Sequence, residues 1–227
     1  MFVGHYGFAL AARGRAPTVP FWVLFLAVQW LDVVWTVLVL LGVEQVRIAP
    51  GITAANPLDL YYYPYSHSLA AAAVWGLAGA LAYRRLTSGG SVAASAVVGL
   101  AIFSHWPLDL LMHRPDLPLI GDRFKVGLGL WNHVGVSLGV ECLALLLGLA
   151  VAWRGEVRAQ RPRPTGVLVI ALVLMAIQFS NAFGPPPPSA TVVAVMGLAA
   201  YLAFAAASGW WGDRRAGGRA APTASNT

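Results

Sequence analysis

The chain has 227 residues, 58% of them hydrophobic and 11% charged, with a formal net charge of +6 and a mean hydropathy of +0.68. A soluble domain of this length would need about twice that charged fraction, so lipid is the expected solvent. The arginines sit at the ends of apolar segments, a topology signal that does not point to a nucleic-acid partner, and the lone Cys142 rules out an intrachain disulfide.

Phe2–Ala12 is apolar but too short to span, and Arg13-Gly-Arg15-Ala-Pro17 follows it as a turn. The segment is expected as a half-helix running beside the first span; the rival placement is an interfacial helix on the cytoplasmic face. Hydropathy then gives six spans, at about 20–43, 66–86, 91–112, 132–153, 165–183 and 189–210, each near the ~20 residues that cross a bilayer core. The expected fold is therefore all-α, a polytopic helix bundle with a short N-terminal half-helix. Its parts are a metal-site bundle over 1–153, a basic cytoplasmic loop over 154–164, two additional spans over 165–210, and a disordered cytoplasmic tail over 211–227. Lys125–Leu130 is glycine-rich but lacks a preceding strand, and reads as a loop leading into a span.

Eleven arginines fall on one side of this layout: Arg13, Arg15, Arg84, Arg85, Arg154, Arg158, Arg161, Arg163, Arg214, Arg215 and Arg219. Four cations fall on the other: Arg47, Arg114, Arg123 and Lys125. The positive-inside rule places the eleven, and the C-terminus, in the cytoplasm. The loops 44–65 and 113–131 then face outward.

Ionisable groups inside spans are costly, and by default functional. Asp32 lies midway along the first span and Glu141 partway into the fourth. His67 opens the second, His105 and Asp109 lie in the outer part of the third, and His113 and His133 bracket the loop after it. At 1.5 Å per residue from the basic ends, Asp32 and Glu141 fall at roughly 18 Å, His105 and Asp109 at roughly 22 and 28 Å, and His5 at roughly 12 Å. All occupy one half of the bilayer. His105 and Asp109 are also i and i+4, so one helical face offers imidazole and carboxylate to one ion. Pro107 predicts a kink at Trp106. Ser66 could instead cap a helix and leave His67 a bystander.

Gly4-His5-Tyr6, Asp32, Ser66-His67-Ser68 and Ser104-His105-Trp106-Pro107-Leu108-Asp109 resemble the membrane-bound metal-dependent hydrolase family of bacterial inner membranes, over roughly residues 1–150. The pattern is more distantly similar to the zinc-dependent phospholipase C and single-strand nuclease superfamily. That resemblance implies a ligand order of His5, Asp32, His67, His105 with Asp109, His113, then His133 and Glu141. The last pair is eight residues apart rather than four, with Ser137 where the acid would fall.

The expectation is an integral-membrane, metal-dependent phosphoester hydrolase. It would hold one or two divalent ions, zinc first and manganese second, and act on a lipid or lipid-linked substrate at the outer leaflet. Asp32 or Glu141 would ligate or act as general base, and Arg114, Arg123 or Lys125 would meet a headgroup phosphate. The rivals are a proton-coupled or metal-ion transporter and a closed structural metal site.

Overall fold

The computed structural model describes residues 1–87, 91–158 and 165–210. Most of the expected basic loop, including Arg161 and Arg163, and the whole expected tail lie outside the described residues. The chain opens with α1 (Val3–Arg15), α2 (Phe21–Val28) and α3 (Trp30–Leu40). Strands β1 (Gln45–Ile48) and β2 (Leu58–Tyr62) follow, then the single turn α4 (Pro64–His67) and α5 (Leu69–Leu86). The remaining helices are α6 (Val92–Phe103), α7 (His105–Met112), α8 (Val134–Arg158), α9 (Thr165–Phe183) and α10 (Ala190–Ser208).

Among the described residues, four stretches are long and apolar enough to cross a membrane: Val92–Met112, Val134–Gly155, Gly166–Phe183 and Ala190–Ser208. The α2–α3 pair, bent by 56°, makes a fifth if counted as one span. α5 covers most of the expected second span but is not in that set; it is rich in Ala and Gly and ends on Arg84 and Arg85. Leucines such as Leu143, Leu147 and Leu172 stay exposed on the outer faces, which is consistent with a membrane protein.

Two helix breaks shape the site. One falls at Gln29, between α2 and α3. The other falls at Ser104, earlier than the expected kink at Trp106. Pro107 has no N–H for the carbonyl four residues back, that of Phe103, where α6 ends.

α1 is a buried half-helix, with His5 and Tyr6 at 0% exposure, and the interfacial placement does not hold. It lies against α8 along a seam of small residues. Gly148 faces the Gly7 carbonyl, and a Cβ on Gly14 would come within 2.6 Å of the Val151 carbonyl oxygen. Only glycine allows backbones this close. Arg13 closes the turn after α1, donating to the Pro17 and Val19 carbonyls at 3.2 and 3.0 Å.

The loop 44–65 contains an element the sequence reading lacks. β1 and β2 pair antiparallel, Arg47 opposite Asp59, around a turn in which Thr53 Oγ1 donates to the Asn56 carbonyl at 2.7 Å. The loop 113–131 docks beside it: Ala55 N–H donates to the Trp131 carbonyl at 2.8 Å, and Leu69 N–H to the Pro118 carbonyl at 3.0 Å.

Candidate metal centre

Four helices deliver the polar residues. α7 carries His105 and Asp109 one turn apart, and His113 stands at its C-terminal cap. α3 brings Asp32 in its first turn, just past the break at Gln29. α1 brings His5 from its N-terminal turn, and α4 ends on His67. Ser68, not Ser66, caps α5, accepting from Ala71 N–H at 3.1 Å, so Ser66 is left for another partner.

Asp109 is the hub. Its Oδ2 lies 3.2 Å from His105 Nε2, 3.6 Å from His113 Nε2 and 3.8 Å from His67 Nε2. Its Oδ1 lies 3.2 Å from His5 Nε2 and 2.5 Å from the Met1 amino nitrogen. Asp32 Oδ1 completes the ring, 3.3 Å from His67 Nε2 and 3.6 Å from His105 Nε2. His5 stacks on His105, with ring centroids 3.7 Å apart. Among the described residues, two groups could hold a metal ion: His5 with His105 and Asp109, and Asp32 with His67 and His105.

The outer ring nitrogens show what the inner ones offer. His105 Nδ1 lies 2.7 Å from the Val28 carbonyl, which the break at Gln29 leaves at a helix end. A carbonyl only accepts, so Nδ1 carries the hydrogen and the lone pair sits on Nε2. His113 Nδ1 lies 3.0 Å from Asp116 Oδ1, with the same consequence. The Tyr63 hydroxyl braces that carboxylate, donating to Asp116 Oδ1 at 3.3 Å. Burial, reinforced by Asp116, holds the Tyr63 phenol well above its usual range, so it keeps its proton.

Lone pairs on Nε2 thus face carboxylate oxygens, and His105 Nε2 is buried with no hydrogen-bond partner. Acceptor against acceptor is repulsive unless a proton or a metal ion lies between them. Ligands held at about 2.0–2.1 Å in a tetrahedron stand roughly 3.3–3.4 Å from one another. The 3.2–3.8 Å separations among Asp32, His67, His105 and Asp109 bracket that edge length. Apart from Asp32, whose side chain is 15% exposed, these side chains are nearly sealed.

Other expected site residues lie elsewhere. Glu141 belongs to neither group. Its Oε2 accepts from the backbone N–H groups of Phe2, Val3 and Gly4 at 3.0, 2.7 and 3.1 Å, where the positive end of α1 holds a carboxylate. His133 also belongs to neither group: it is exposed, at the end of a 3-10 turn just before α8. Arg114 is committed to acids, Nε to Asp116 Oδ2 at 2.9 Å and a terminal nitrogen to Asp59. Lys125 pairs with Asp122 at 2.8 Å and donates to the Tyr61 carbonyl. Arg123 is exposed. The sequence reading gave no site role to Glu44, Asp59, Asp116 or Tyr63; all four are buried, and only Asp59, between Leu58 and Leu60, and Asp116, between Pro115 and Leu117, carried the signal of an acid flanked by apolar residues.

Comparison with protein-family models, curated proteins and solved structures finds no match for this chain.

Proposed function

We propose that the chain is an integral-membrane, metal-dependent hydrolase of a phosphoester in a lipid or lipid-linked substrate. The observation that carries the reading is the set of Nε2 lone pairs directed at Asp32 and Asp109 at 3.2–3.8 Å. The Met1 amino group answers Asp109 Oδ1 at 2.5 Å, and among the described residues no Lys or Arg side chain pairs with Asp109 Oδ2 or Asp32 Oδ1.

The mixed nitrogen and oxygen donors suit zinc, whereas manganese favours more oxygen. His67, His105 and Asp109 would hold the first ion and leave a position open for water beside Asp32, and His5 and His113 extend the set toward a second. When bound, the ion lowers the pKa of water toward neutrality and stabilises charge on phosphoryl oxygens. Asp32, the least buried of these carboxylates, stands where a substrate would arrive and would accept the proton as general base. Glu141 orients α1 and has no free role at its Oε2.

The arginines of α1, α5 and α8 lie in or near the last turns of those helices, while His5 and His67 stand at or just before the first turns of α1 and α5. This polarity supports an inner-membrane orientation with the basic ends in the cytoplasm and the metal centre toward the outer leaflet. Arg123, on the outer loop, is the cation left to meet a headgroup.

The test is elemental analysis of detergent-purified protein beside the His105→Ala, Asp109→Ala double variant, followed by phosphate release from phosphatidic acid vesicles. Near-stoichiometric zinc in the wild type and none in a folded double variant is expected. Metal-free wild type, after reloading and with helicity intact, would return the buried His and Asp residues to a transport role.

A further inference from the structure

Glu44 is 1% exposed and lies in the loop just past α3, remote in sequence from every group it touches. Its Oε1 accepts from the Tyr65 and Ser66 N–H groups at 2.8 and 2.9 Å, and its Oε2 from Ser66 Oγ at 2.5 Å. The same Ser66 Oγ lies 2.8 Å from His67 Nδ1. A serine hydroxyl has one proton to donate, and a carboxylate is an acceptor only. That proton goes to Glu44, so Ser66 Oγ meets His67 as an acceptor and Nδ1 carries the hydrogen. The lone pair of His67 is thereby placed on Nε2, the atom 3.3 Å from Asp32 Oδ1.

We propose that Glu44 is a positioning residue which, through Ser66, fixes His67 in the one tautomer that can ligate a metal ion. The inference rests on the metal-centre reading above and gives it a consequence that runs against side-chain size. In Glu44→Gln the two backbone N–H groups still require an oxygen at the Oε1 position, so the amide NH2 must take the Oε2 position and donate to Ser66 Oγ. The Ser66 proton then has His67 Nδ1 as its acceptor. His67 must carry its hydrogen on Nε2, where the ion would bind. Ser66→Ala merely removes the hydroxyl and leaves His67 free to choose.

The near-isosteric Glu44→Gln variant is therefore expected to do more damage than Ser66→Ala. Outer partners of ligating histidines are worth about 10–100-fold in metal affinity. We expect Glu44→Gln in that range, Ser66→Ala with a smaller loss, and Ser66→Thr close to wild type. The measurement is chelator competition for zinc on the full chain in detergent, paired with long-range 1H–15N spectra of the histidine ring nitrogens in metal-free protein. Weaker binding by Glu44→Gln than by Ser66→Ala, with the His67 proton moved from Nδ1 to Nε2, supports the proposal. Glu44→Gln at or below the Ser66→Ala loss, or an unmoved proton, overturns it. Should Glu44→Gln not fold, Ser66→Ala with wild-type affinity overturns it, and loss restored by Ser66→Thr supports it. A wild type that binds no zinc overturns the metal centre itself, and the ring-nitrogen spectra then still report separately on the tautomer.

Discussion

Glu141→Ala should weaken metal binding without removing any ligand. In the folded chain Glu141 Oε2 gathers the N–H groups of Phe2, Val3 and Gly4 within 3.1 Å. Val3 and Gly4 are buried and Phe2 half-buried, so water is a poor substitute. Stranding a buried donor costs about 1–3 kcal/mol. Taking the lower bound for all three gives about 3 kcal/mol, a factor of roughly 100 in equilibrium. That cost falls on the first turn of α1, which carries His5 to Asp109. Zinc affinity measured by chelator competition should fall by up to that factor, and the amides near Val3 should lose protection in hydrogen exchange. Glu141→Gln keeps the carbonyl oxygen and loses only the charge, about 1 kcal/mol, so its loss should be roughly fivefold. Wild-type affinity and a protected α1 in Glu141→Ala would refute the reasoning. A Glu141→Gln protein with normal zinc binding but turnover reduced a hundredfold would instead restore Glu141 as the base.

Two glycines of α8 should respond oppositely to added side chains. Gly148→Val drives atoms into the Gly7 backbone and should cost about 1–3 kcal/mol in thermal unfolding, whereas Gly139, with nothing within 4 Å of a Cβ, should gain up to about 1 kcal/mol on becoming alanine. His133→Ala should leave zinc stoichiometry unchanged, because the residue is exposed; loss of an equivalent would place it back among the ligands. Zinc at about a hundred times its Kd should raise stability by about 2.7 kcal/mol, and a chelator should reverse the gain in a melting experiment. No shift in the melting curve would argue that the ion does not join the folded state.

Axial position was legible in the sequence, because each helical residue adds the same rise. Counting along the helices is enough to put His5, Asp32, His67, His105 and Asp109 in one half of the bilayer, and the structure brings them together. Rotation about a helix axis was not legible. Glu141 has a suitable height, yet its Oε2 is taken by the start of α1, and the partner that turns it there lies 137–139 residues away. His133 was placed by its neighbours rather than by any period, and the chain leaves it outside. The outer loops were the least readable part. β1 and β2 are four and five residues long, too short for alternation to stand out. Glu44 and Asp116 lie outside the helices, where no fixed rise relates them to His67 and His113, which they support. The break at Ser104 was foreseeable in kind from Pro107, although its position follows from the missing donor rather than from the residue before the proline.

The glycine seam between α1 and α8 also fixes an order of events during synthesis. α1, at 13 residues, is too short to cross a bilayer on its own, and its groove and the carboxylate that anchors it belong to α8. A nascent chain ending before Val134 already contains Asp32, His67, His105 and Asp109 but has nowhere to seat the helix that carries His5. α1 therefore docks only once α8 is in place, and its docking brings His5 to Asp109. Closure of the candidate site waits on the emergence of α8, and a stalled or truncated chain would hold its acids and imidazoles without the stopper that seals them from one side.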